Sequence, residues 1–215
     1  MYFMQDVEII TIEEFVKGEM EVCSAHDFFH IERVVKLANK LRELEGRDAL
    51  IIHAALLHES LDDKFFNAED ISHRKQEIKR FLSSLSMSDE VVAIMFIIEN
   101  VGFGKSLERD DFSPSVEFEI VEDADRLEAV AIAIARTFAY GKKKRAIYDP
   151  DVKPQKDLTR QQYAKSENTS VNHFYEKLLL LKDMMHTMST RIAQERHAFM
   201  EEYLKQFFKE RNVEL

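Results

Sequence analysis

The sequence predicts an all-α protein, and three observations carry that reading. Glycine and proline are scarce, at 5 and 3 of 215 residues, which leaves too few turn formers for an all-β fold. Apolar residues recur at helical spacing, as in Ile31, Val34, Val35, Ala38 and Leu41. No segment alternates apolar and polar residues as a half-buried strand does, and no internal repeat is present.

Taken in order, a first helix is expected over 12–22, and a second carries the stripe from 31 to 41. Residues 49–57 are apolar on nearly every side, as in a central helix. Further helices are expected over 70–84, 88–101, 116–140, 171–184 and 188–210. Within 116–140, Leu127, Val130, Ala131, Ile134, Ala135 and Phe138 form one apolar stripe. Asp125, Ala129, Ile132 and Arg136 share the opposite, largely apolar side, so this helix reads as buried all round with an acid and an arginine facing inward. "KDMMHTM" (182–188) reads as a helix end with adaptable methionine packing. Residues 141–170 break the pattern, with eight Lys or Arg against four Asp or Glu and two of the three prolines. Two readings of this polar connection stand side by side: a solvated loop, or a lid facing an anion.

Composition excludes several function classes. A formal charge of −10 disfavours general affinity for nucleic acid or an anionic membrane. Cys23 is the only cysteine, so a disulfide framework or a thiolate zinc cluster is ruled out. No glycine-rich phosphate loop occurs. The start, "MYFMQDVEII", lacks a signal peptide's basic region, and the longest apolar run, "VVAIMFII" (91–98), is too short to span a bilayer. A soluble, cytoplasmic protein is the expectation.

The residues able to carry chemistry are few. His30 opens an amphipathic helix, His58 closes the most apolar one with Glu59 beside it in "AALLHES", and Asp125 lies in "EDADRLEAV". Buried charges persist when paired or bound to metal. Two imidazoles and two carboxylates from three helices suit manganese, iron, cobalt or zinc, which activate water at neutral pH. Taken singly, each residue reads more readily as a hydrogen-bonded core group than as a ligand, and spacing alone does not decide. His53, five residues before His58, points to another side of its helix. "HESLD" has Asp62 where a helical zinc protease needs its second histidine.

In order, "HIERVVKLA", "AALLHES" and "DADRLEAV" resemble the HD-domain metal-dependent phosphohydrolase superfamily. Together with "IIENVGF", "IYDP" and "HFYEKLL", they resemble its small stand-alone bacterial members from about residue 20 to 212. The resemblance implies a single HD-like helical domain over 1–215, with a core at about 20–140 and a C-terminal helical extension at about 171–212. It implies His30, His58, Glu59 and Asp125 as ligands of a divalent metal, manganese favoured over magnesium, iron, cobalt, nickel or zinc. Asp123, two residues before Asp125, is the competing assignment for the distal aspartate. Glu59 stands where the family has its eponymous aspartate, one methylene shorter. Lys64 matches a lysine after the paired residues and implies a phosphate contact, and Asp62 implies either a group supporting the metal ligands or a general acid/base. His26, Arg33, Arg126, Tyr140 and His173 are further substrate candidates, with ordinary salt bridges the commoner use of such arginines, and Tyr148 and Lys177 fall in similar motifs. The implied activity is hydrolysis of a nucleotide or other small phosphorylated metabolite through a metal-activated water; the alternative is a catalytically impaired module that binds nucleotide or metal for regulation.

Overall fold

In the computed structural model, which describes residues 7–19, 28–47, 50–62, 66–109, 113–128, 132–141, 146–166 and 168–212, every regular element among the described residues is helical. The order is α1 (Val7–Glu19), α2 (Phe28–Glu45), α3 (Leu50–Leu57), α4 (Ala68–Ser84), α5 (Val91–Asn100), α6 (Phe103–Ser106), α7 (Val116–Glu128), α8 (Ile132–Gly141), α9 (Arg160–Lys165), α10 (Ser170–Glu176), a 3₁₀ segment (Leu178–Met184) and α11 (Thr190–Arg211). No described helix is long and apolar enough to cross a membrane.

Local chemistry sets several ends. Helix α2 stops at Gly46, whose φ of 64° is left-handed, and the Arg47 amide donates back to the Arg42 carbonyl at 2.9 Å, a glycine-terminated cap. Helix α4 starts where Asn67 Oδ1 accepts from the Glu69 and Asp70 amides at 2.9 and 3.0 Å. The N-terminus of α9 carries a capping box between Thr159 and Gln162.

Helix α3 is the hub. All of its residues from Ile51 to Leu57 are buried, and it packs against α1, α2, α5 and α7. These helices and α4 enclose one apolar core, around Ile31, Leu41, Ile51, Leu56, Ile94 and Phe118. A second core gathers Phe103, Val171, Phe174, Leu181, Met200 and Leu204. Met185 packs on both, and α11 gives Ala193 to the first core and Met200 to the second.

Three expectations change. The helix expected over 116–140 is described as α7 and α8, with 129–131 outside the described residues. Most of α7 is buried, but Glu117, Glu119 and Asp125 are half-buried and Ala135 in α8 is exposed. The helix over 171–184 is α10 followed by a 3₁₀ segment, with Lys177 between them at φ −140° and ψ −64°. The 141–170 stretch is not a structureless loop in its described part. It contains α9, and α10 holds it, since Asn172 Nδ2 donates to the Val152 carbonyl at 2.8 Å and the Gln155 amide to Glu176 Oε1 at 2.9 Å. Helices of one or two turns such as α6 and α9 are too short for periodicity to reveal.

Candidate metal centre

Helices α2, α3 and α7 converge on a polar cluster. His30 from the first turn of α2 and His58, just past α3, are 1% and 5% exposed, so neither ring is solvated. Their Nε2 atoms face each other at 3.2 Å. Each ring's other nitrogen is committed. His58 Nδ1 lies 2.7 Å from the Ala55 carbonyl, and His30 Nδ1 lies 2.8 Å from Glu128 Oε2. A carbonyl oxygen only accepts, so His58 Nδ1 carries the hydrogen and its Nε2 lone pair points into the cluster. His30 Nδ1 faces an acceptor, Glu128 Oε2, and also a donor, Arg136 Nη1 at 2.8 Å. With its hydrogen toward Glu128, the two Nε2 atoms 3.2 Å apart call for a cation or a proton between them.

The carboxylates supply the opposite charge. Glu59 Oε1 is 3.4 Å from His30 Nε2. Asp125 Oδ1 is 3.6 Å from His30 Nε2 and 3.9 Å from His58 Nε2. His30, His58 and Asp125 each offer a ligand atom within 4.8 Å of the others. The donor chemistry therefore fits a divalent cation: two imidazole nitrogens, with two carboxylates at hand. The Asp125 side chain keeps 25% exposure, which gives the cluster an open side.

The electrostatics agree. Burial acts most strongly on His30 and lowers its pKa, but hydrogen bonds to Glu128 and Glu59 and the charge of Glu59 outweigh it and raise the value to about 9. Burial likewise opposes ionisation of Asp125, yet His58, His30 and Lys177 hold its pKa below the usual carboxylate value. Lys177 thus brings positive charge to the cluster from the start of the 3₁₀ segment. Its Nζ lies 5.5 Å from the Phe103 ring centre, and Phe103, Tyr163 and His173 continue as an aromatic row with centroid spacings of 5.1 and 6.2 Å.

Other expected residues divide clearly. Arg33 Nε donates to Glu128 Oε1 at 2.8 Å. Arg126 is not brought to the cluster: it donates to the Met184 carbonyl and pairs with Glu122 at 3.0 Å and Asp123 at 3.6 Å. Adjacent helical residues point about 100° apart, so Asp125 and Arg126 serve different sides of α7. Arg136 pairs with Glu128 rather than with Asp125. Asp123 is fully buried and accepts from the His186 and Thr187 amides and the Thr187 and Ser189 hydroxyls, all in the turn before α11. Asp62 follows Glu59, its amide donating to the Glu59 carbonyl at 3.1 Å. Tyr148 packs on Phe207 and Phe208 in the second core. His53 pairs with Glu90 at 3.2 Å, away from the cluster. His26, Lys64 and the Tyr140 side chain lie outside the described residues.

Sequence reasoning missed Glu128. It is 2% exposed and accepts from His30, Arg33 and Arg136. Burial opposes its ionisation most, but the hydrogen bond from His30 and the charges of His30 and Arg136 depress its pKa. Its only sequence signal is its place three residues, about one turn, after Asp125.

An all-α fold with a His-His-Asp cluster at the junction of three buried helices defines the class, and comparison with known proteins agrees. No family model matches the chain. Bacillus subtilis YpgQ is 33% identical over 193 residues, covering 87% of this chain and 85% of that protein. A solved Lactobacillus plantarum protein superposes with a TM-score of 0.86 at 32% identity, covering 99% of this chain and all of the other. An HD-superfamily hydrolase from Bacillus thuringiensis gives 0.72 at 38% identity over 96% of this chain and 98% of its own. YpgQ solved in complex with ADP gives 0.72 at 30% identity over 94% and 97%. The chain belongs to the HD-domain superfamily, among its small bacterial members.

Proposed function

We propose that this protein is a metal-dependent phosphohydrolase acting on a nucleotide or another small phosphorylated metabolite. The observation that carries the reading is the meeting of His30, His58 and Asp125, with Glu59 against His30, in one buried cluster. These four residues would hold a divalent cation, manganese favoured, since neutral imidazoles and two carboxylates suit its charge and ligand preference. When bound, such an ion supplies Lewis-acid polarisation of a phosphoryl oxygen and activates water at neutral pH.

The chain's own residues orient the substrate. Lys177, which acts on Asp125, would also draw a phosphate toward the cluster and offset charge developing on it. Lys64 is assigned a second phosphate contact and Asp62 proton transfer. The row of Phe103, Tyr163 and His173 beyond Lys177 offers ring faces to a nucleobase, and the ADP complex of YpgQ supports a nucleotide over a simple sugar phosphate. His26 and Tyr140 remain assigned to the substrate side. Arg33 acts through Glu128.

The test begins with metal. Elemental analysis after manganese loading and desalting should find about one ion per chain, lost in His30→Ala and His58→Ala. Phosphate or pyrophosphate release from a nucleotide panel should then disappear in His58→Ala and fall sharply in Lys64→Ala. Hydrolysis unchanged in both variants sinks the reading. Glu59 favours one alternative, a module that binds nucleotide or metal without turnover. If Glu59→Asp creates hydrolysis that the natural protein lacks under saturating metal, that alternative gains.

A further inference from the structure

We infer that Glu128, braced by Arg33 and Arg136, is the positioning residue that fixes which nitrogen His30 presents to a metal. The inference rests on the metal reading above. His58 has its orientation set locally, by the Ala55 carbonyl three residues earlier. His30 is held from another helix. Its Nδ1 is held by Glu128 from α7, 98 residues away in sequence. An imidazole whose Nδ1–H donates to a carboxylate keeps Nε2 as a lone pair and a more basic one.

The carboxylate could turn if left alone. Two guanidinium groups hold it in this interior, where Glu128 is 2% exposed. Arg33 Nε donates to Oε1 at 2.8 Å, and Arg136 donates to Oε2, the oxygen that also accepts from His30. Arg136 Nη1 also lies 2.8 Å from His30 Nδ1; a guanidinium only donates, so Arg136 and the Glu128 carboxylate compete for that nitrogen, and the carboxylate, an acceptor at 2.8 Å, selects the Nδ1–H tautomer. The network therefore runs from Arg33 in α2 and Arg136 in α8, through Glu128 in α7, to His30 and the cluster. Glu128 acts through His30.

The experiment reads tautomer and affinity rather than turnover. Long-range ¹H–¹⁵N correlation spectra of the zinc-loaded full chain should show His30 with hydrogen on Nδ1 and metal on Nε2. Cobalt titration, followed by its visible absorption, should give about 10–100-fold weaker binding in Glu128→Ala, with partial recovery in Glu128→Gln, whose carbonyl still accepts from Nδ1–H. Metal on His30 Nδ1, or wild-type affinity and spectrum in Glu128→Ala, overturns the inference. If Glu128→Ala does not fold, the wild-type tautomer decides alone. Absence of cobalt and zinc binding in the wild-type chain removes this inference and the metal reading together, whereas normal wild-type binding with an insensitive Glu128→Ala removes only this one.

Discussion

At the residue scale, Glu59 keeps its carboxylate beside His30 although it is one methylene longer than the family's aspartate. The longer side chain still brings Oε1 to 3.4 Å from His30 Nε2. The pKa of His30, raised from 6.5 to about 9, gives a pH prediction for protein kept in chelator. The folded state binds this proton more tightly than the unfolded chain, so its contribution is fully present below pH 6.5 and is lost as pH rises through about 9. Urea midpoints should fall across that window, and His30→Asn should flatten the fall. The two aspartates of α7 should separate cleanly. Asp123 accepts four hydrogen bonds from the turn before α11, so Asp123→Ala should cost about 3–5 kcal/mol of stability. Asp125→Ala, on the open side, should change stability by no more than about 1 kcal/mol while abolishing manganese retention. Urea denaturation and elemental analysis of both variants check the contrast; a mild Asp123→Ala would undo the capping assignment.

At the scale of elements, much was legible. Periodicity placed α2, α3, α4, α5 and α11 because each buries a continuous stripe or, for α3, every side. The 3₁₀ segment after α10 was not legible. Its apolar pattern continues smoothly, and neighbouring elements determine where the backbone changes from α10. The ends that sequence chemistry specifies give another prediction. Gly46→Ala puts a Cβ into a left-handed position with no atom within 4 Å, so its cost should be conformational alone, about 1 kcal/mol. Asn67→Ala should cost about as much through loss of the α4 cap. Thermal unfolding of the two variants, with metal content unchanged, measures these terms.

For the whole molecule, the cluster lies at the meeting of α2, α3 and α7, and Lys177, which acts on Asp125, stands over Phe103 of the second core. Met185 and α11 join the two cores, and we propose that 1–215 unfolds as one cooperative unit. Phe174 is fully buried in the second core, and Phe174→Ala should cost about 3–5 kcal/mol. Far-ultraviolet dichroism and tyrosine fluorescence, available without interference because tryptophan is absent, should give coincident transitions in wild type and variant. Separate transitions would divide the chain into two folding units.

The sequence by itself determined the helical class and the central place of α3, which are recorded in local spacing. Its motif order put forward His30, His58, Glu59 and Asp125 as candidates, which the fold brings near one another. It did not reveal Glu128. That carboxylate stands among ordinary helix residues, and its partners Arg33 and His30 lie 95 and 98 positions away. Nor did it separate Arg126 from Arg136 in role, since two arginines on apolar helices look alike until one is seen against Glu122 and Asp123 and the other against Glu128. Tertiary structure decided these because a buried charge is defined by what surrounds it in space, and packing of distant helices sets those surroundings.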